Sequence, residues 1–202
     1  MIKILKNRGG FSFMELIVSV AVMVIIIAAL GIFERQFYNV GTFINQELSN
    51  RQGLEQIFAQ LVTDIRSASP SSLGAYPIEI ASSTSFIFYS DVDRDSLFDR
   101  VRYTITSSTL ERGVIKPAGN PLVYATSSET ITTLVSNVIA AISNFEYFDT
   151  NYTGAEPAMT APINILNIRL IRLTLAADLN PSIAPQPTIF SNTIDIRNLR
   201  SN

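Results

Sequence analysis

The chain contains no cysteine and no histidine. The first absence removes disulfide staples and thiol nucleophiles. The second removes imidazole bases, and together they take away the usual zinc ligand sets. Exported domains commonly carry disulfides, so any exported part of this chain must hold its fold by packing alone. Charge is scarce as well: 16% of residues are Asp, Glu, Lys or Arg, with a formal net charge of −2. That balance argues against broad nucleic-acid binding through a basic surface. Proline is absent from Phe11 to Ser69, and charge is absent from Leu16 to Phe33. The two gaps overlap, and the rest of the chain is organised around them.

A run of about 18 or more apolar residues is long enough to cross the hydrocarbon core as a helix. The stretch from Leu16 to Phe33 meets that length, and Glu15 stands at its edge. A carboxylate carried to mid-bilayer costs roughly 2.5–3.5 kcal/mol on insertion scales, so Glu15 reads as functional. Lys3, Lys6 and Arg8 precede the span, whereas a balanced Glu34-Arg35 pair follows it. This asymmetry predicts a cytoplasmic N-terminus and an extracytoplasmic remainder. A secretory signal peptide cut near Ala29-Leu30-Gly31 is one alternative, and a plain uncut signal anchor is another. Neither accounts for the glycine pair ahead of the span or for an acid four residues after Phe11.

The stretch Gly9-Gly10-Phe11-Ser12-Phe13-Met14-Glu15, set between basic leader and span, resembles the start of type IV pilin-like proteins. These are the pilins and the pseudopilins of type II secretion. The resemblance implies that residues 1–10 are a leader, cut after Gly10 by a membrane-embedded prepilin peptidase, and that the new Phe11 amine is N-methylated. Loss of Lys3, Lys6 and Arg8 would make the remaining chain more acidic still. In such a filament Glu15 would pair with the Phe11 ammonium, its own or a neighbour's, and so fix axial register between subunits; fixing register is the best-attested use of a buried ionic group. The expected partners are other pilin or pseudopilin subunits, the peptidase and the inner membrane, with no nucleic acid.

Beyond Phe33 the helical period continues. Phe37, Val40, Ile44 and Leu48, then Leu54, Phe58, Leu61 and Ile65, recur at steps of three and four; polar residues such as Gln56 and Asp64 fall between them. That is an amphipathic stripe, stopped by Pro70. A helix from Phe11 to about Arg66 would be roughly 84 Å long, too long for a globular core alone. After a linker over 67–76 the period changes to two. Strands are predicted at Phe86–Tyr89, through Val101, Tyr103 and Ile105, at Thr109–Lys116 and at Leu122–Ala125, with a turn from Pro117 to Pro121. Val138 to Phe148 leans to strand, and Asn151 to Pro162 reads as a loop. Ile163 to Leu175, apolar on both faces, reads as a central strand, and Phe190, Ile194 and Ile196 mark the last one. Ser82–Ser85, Thr106–Thr109 and Thr126–Ser128 read as turns and solvated edges. The expected class is α+β: a long helix over 11–69, spanning the membrane over about 11–33, packed lollipop-fashion on an antiparallel β domain over 70–202.

This later part is similar to J-type minor pseudopilins and W-type minor pilins. The likeness rests on Phe88-Tyr89-Ser90-Asp91-Val92-Asp93-Arg94-Asp95, Arg100-Val101-Arg102-Tyr103 and Phe145-Glu146-Tyr147-Phe148-Asp149. It implies a non-enzymatic filament subunit of type II secretion or of a type IV pilus; a tip adhesin or DNA-binding minor pilin is the rival. Two departures stand out. Many pilins close their C-terminal region with a disulfide and carry a proline in the apolar half of the helix; this chain has neither. An enzyme gains little support, because nothing in the spacing selects Glu79, Asp91 or Glu146 as a glycosidase pair. The basic residues Arg100, Arg102, Arg169, Arg172, Arg197 and Arg200 are scattered and read as solvated strand faces.

The constellation with ligand chemistry is Asp91, Asp93 and Asp95, followed by Asp99. Carboxylates at every second position of a loop converge on one hard cation in calcium loops. Ser96 stands where such loops place glycine, and Arg102 stands where an EF-hand closes with glutamate, so this is no EF-hand. Calcium is the candidate cofactor, weighed against a solvated hairpin balanced by Arg94 and Arg100.

Overall fold

The computed structural model of the chain describes residues 12–178 and 187–199, with the backbone alone for 35–50. The leader basics, Gly10, Phe11 and Arg200 lie outside the described residues, as do the side chains of Phe37, Val40, Ile44 and Leu48.

The first element, α1, runs from Phe13 to Arg66. Ser12 stands just ahead of it, and its backbone N–H donates to Glu15 Oε2 at 3.4 Å. Ser12-Phe13-Met14-Glu15 thus forms one arm of a capping box, in which the acid three residues on satisfies a donor at the helix start. At the far end Ser67 Oγ donates to the carbonyls of Thr63 and Asp64, at 2.9 and 3.0 Å. This competition with the backbone ladder ends the helix four residues before Pro70.

The residues that follow form two antiparallel sheets. The first holds β1 (Ile78–Ala81), β2 (Ser85–Ser90), β3 (Asp99–Ile105), β4 (Thr109–Ile115) and β5 (Thr130–Ser136), in sequential order. The second holds β6 (Asn144–Phe148), β7 (Leu170–Ala177) and β8 (Thr188–Asp195), with β7 in the middle. The chain is therefore α+β, with an N-terminal apolar helix followed by antiparallel sheets.

Both sheets and the last turns of α1 contribute to one core. Leu54, Phe58, Leu61 and Ile65 are between 0 and 6% exposed, and they join Phe86, Phe88, Val101 and Leu110 from the first sheet and Phe145, Ile171, Leu173 and Ile194 from the second. Each such side chain contributes roughly 1.5–3 kcal/mol on leaving water. The spacing of three and four along this part of the helix is the cause, since it gathers the four on one face. Phe86 stacks on Phe88 at 5.0 Å and Phe88 on Tyr103 at 6.1 Å, filling the space beneath that face.

Several segments differ from the sequence expectation. Leu122 to Ala125 is no strand; Val123 makes an isolated bridge to Ala118, because Pro121 withdraws a donor at its start. The strands β1 and β5 were not expected. β5 is an edge strand with little buried along it, so it lacks a period-two signature. Before β7 the chain makes a short 3-10 turn at Ile165–Asn167, capped by Asn164 Oδ1 accepting from the Leu166 N–H at 3.1 Å. β7 itself buries one face and leaves Arg172 and Thr174 half-exposed on the other.

Candidate functional site

Two regions carry the chemistry. In the first, Phe13–Glu34 is a helical stretch of 22 residues long and apolar enough to cross a membrane, and none of it is buried within the structure. Glu15 at its start is exposed and engaged by Ser12.

The second is the β2–β3 connection. Asp91 sits immediately after β2 and Asp99 opens β3. Between them the loop is tied by its own carboxylates. Asp91 Oδ1 and Oδ2 accept from the backbone N–H groups of Asp95 and Ser96, each at 3.1 Å, and Asp95 Oδ1 accepts from that of Leu97 at 2.8 Å. Arg94 and Ser96 take left-handed conformations, with φ of 63° and 72°. The Ser96 backbone thus supplies the turn that glycine gives in calcium loops. The result is that one oxygen from each of Asp91, Asp93 and Asp95 lies within 4.8 Å of the others. Asp99 is not a member of that group.

Asp99 is 0% exposed, and neither of its carboxylate oxygens has a partner at hydrogen-bond geometry among the described residues, although the nearby Val92 backbone N–H favours its charged form. Burial, and then the nearby Asp93 charge, push its carboxyl up to about 6. Lys116 forms an ion pair with Asp93 and holds that carboxyl below the usual range. The loop exit is fixed at Phe98, whose N–H donates to Ser72 Oγ at 2.8 Å and whose carbonyl accepts from the Tyr124 hydroxyl at 2.6 Å.

The neighbouring charges are occupied. Arg100 grips Glu79 through two donors at 2.7 and 2.8 Å, and the Tyr89 hydroxyl also donates to Glu79, at 2.8 Å. Arg100 first, and Tyr89 with it, hold the Glu79 carboxyl down against its partial burial. Burial and Glu79 push the Tyr89 phenol up to about 12. Arg102 pairs with Glu129 at 2.7 Å across the position of Gly113, where a Cβ would collide with the Glu129 carboxylate. Arg172 lies 3.4 Å from Glu146 and covers the Phe148 ring at 4.7 Å. Glu79 and Glu146 thus stand on different sheets, each tied to its own arginine.

By its spacing Asp64 belongs to the polar face of the helix. The structure instead buries it to 7% exposure. It accepts from the Tyr103 hydroxyl at 2.8 Å and pairs with Arg112 at 2.8 Å. Burial, reinforced by the Asp64 charge, raises the Tyr103 phenol far above its ordinary range. The signal was present in its position, one residue before Ile65 and three after Leu61, on the flank of the apolar stripe.

No protein-family model matches the chain, and no curated protein matches it. A solved structure does: a chain of the GspK-GspI-GspJ complex from the enterotoxigenic Escherichia coli Type 2 Secretion System, at 13% identity and a TM-score of 0.43, over 72% of this chain and 96% of that one. At this level the likeness assigns no role to any residue.

Proposed function

We propose that the chain is a minor pilin or pseudopilin, a structural subunit of a type II secretion or type IV pilus filament. The carrying observation is the register of the N-terminal signature: basic leader, Gly10-Phe11, Glu15, then an uncharged helical span with every face exposed. A helix apolar all round belongs in lipid or among other apolar helices. The same helix ends by packing Leu54 to Ile65 into a β domain, so anchor and folded module come from one element.

In this reading prepilin peptidase cuts after Gly10, and Phe11 becomes the methylated N-terminus. The subunit sits in the inner membrane as a single pass, its N-terminus facing the cytoplasm before processing. Glu15 then has two acceptor oxygens to share between the helix start and a neighbour's Phe11 ammonium. The work is assembly, not catalysis.

Co-expression with a prepilin peptidase tests the reading directly. Mass spectrometry should find methylated Phe11 at the mature N-terminus, and Gly10→Val should abolish cutting. A mature N-terminus at Ile32 would show an ordinary signal peptide and overturn the assignment.

A further inference from the structure

The β2–β3 loop has a built interior as well as an acidic surface. Counting Asp91 as the first position, Asp93 and Asp95 are the third and fifth, the Leu97 carbonyl is the seventh and Asp99 the ninth. These are ligand positions of a twelve-residue calcium loop, the seventh acting through its backbone and the ninth often through a water. Ser96, at the sixth, has the positive φ the turn requires. One oxygen from each of Asp91, Asp93 and Asp95 lies within 4.8 Å of the others, close enough for all three to share one hard cation.

The second, independent observation is Asp99. It shares the buried face of β3 with Val101 and Tyr103. The β3–β4 register pairs Arg100 with Ile115, so its next step sets Lys116 opposite Asp99. From there the Lys116 amine reaches Asp93, and Val92, Asp93, Val114 and Lys116 line one open groove. The acidic loop therefore folds over the face on which Asp99 lies. A buried carboxylate with both oxygens unpartnered asks for a specific explanation, and a cation between it and the triad provides one.

We propose that this loop binds calcium, with Asp91, Asp93 and Asp95 at its exposed mouth and the buried Asp99 closing it from below. Lys116, its side chain 61% exposed, is the competing cation and swings into water when the ion enters. Arg102 occupies the twelfth position and is held by Glu129, so the bidentate closing ligand is missing. Affinity therefore falls in the range of about 10⁻⁴–10⁻³ M typical of extracellular modules. The inference is independent of the filament reading, since it concerns the β domain alone.

The test uses the full chain in detergent, stripped with EDTA and titrated with calcium or magnesium by calorimetry and by melting. Calcium should bind once per chain and raise the melting temperature, and magnesium at equal concentration should not. Asp99→Asn, nearly isosteric, should weaken calcium at least about tenfold while melting no lower than wild type in EDTA, because it removes a buried unpaired charge. Lys116→Gln should tighten binding several-fold. Equal shifts with calcium and magnesium, or calcium affinity within twofold of wild type in Asp99→Asn, would overturn the proposal. If Asp99→Asn melts lower in EDTA, Asp93→Ala decides in its place, and calcium binding that survives there also overturns it.

Discussion

Two stretches of α1 meet water differently, and the more apolar one is the more exposed. From Phe13 to Phe33 apolar residues cover every face, and Leu16, Ile25 and Phe33 are 54, 67 and 65% exposed. From Gln52 to Arg66 apolar residues occupy one face, and Leu54, Phe58, Leu61 and Ile65 are almost wholly buried. Hydrophobicity alone therefore does not say what a helix packs against; its distribution around the axis does. A one-sided stripe matches a core within its own fold. An all-round coat needs surroundings the fold does not supply, and an exposed apolar surface of this extent marks a membrane or assembly site.

The sharpest way to break the contrast is the same truncation made once in each stretch. Leu61→Ala should cost about 2–5 kcal/mol of β-domain stability, as buried leucines do. Read by calorimetry in detergent, that is a drop on the order of 10 °C. Ile25→Ala should leave the same transition unmoved. A comparable drop in both would mean that the apolar coat stabilises the β domain after all.

Next in size is Asp64→Ala. It strands the Arg112 charge and the Tyr103 hydroxyl and should cost about 3 kcal/mol. Asp64→Asn keeps an acceptor for Tyr103 and should lose less. Equal losses would show that shape, not charge, is what Asp64 supplies.

Acid sharpens the contrast by charge, since Leu16 to Phe33 carries no titratable side chain. Glu79 is held below its ordinary value of 4.5 in the folded state, chiefly by Arg100. The unfolded chain therefore takes up the proton first. The stability Glu79 contributes is whole above about pH 4.5 and is lost as the pH falls through its lower folded value. Urea midpoints at pH 7 and pH 3.5 should show a loss of about 1 kcal/mol in wild type that is missing in Glu79→Gln.

The smallest effect on the β domain belongs to Glu15→Ala. It removes the acid from the helix start, worth about 0.3–1 kcal/mol to that turn. Membrane insertion and the melting of the β domain should be unchanged, while recovery in filament pull-downs should fall. Glu15→Leu incorporated like wild type would show that the acid does not set register.

What was legible in the sequence follows locality. The buried stripe, and the strands at β2, β3 and β4, announce themselves through spacing that any neighbouring window contains. β5 did not, because Thr130 to Ser136 has no consistently buried face to alternate with. The acidic loop was legible as a set of ligands, yet the burial of Asp99 was not, since it depends on strand register across to Lys116. Asp64 was the largest miss. Its partners Tyr103 and Arg112 lie 39 and 48 residues away, and only the folded chain brings them to it.

That contact also bears on force. A face made of Leu54, Phe58, Leu61 and Ile65 resists separation but not sliding, since one apolar contact is easily traded for the next. The Asp64 carboxylate, bonded to Tyr103 on β3 and Arg112 on β4, is directional and cannot be traded for a neighbouring contact by sliding. A pull along this part of the helix therefore loads β3 and β4 through this contact, and extraction requires it to open.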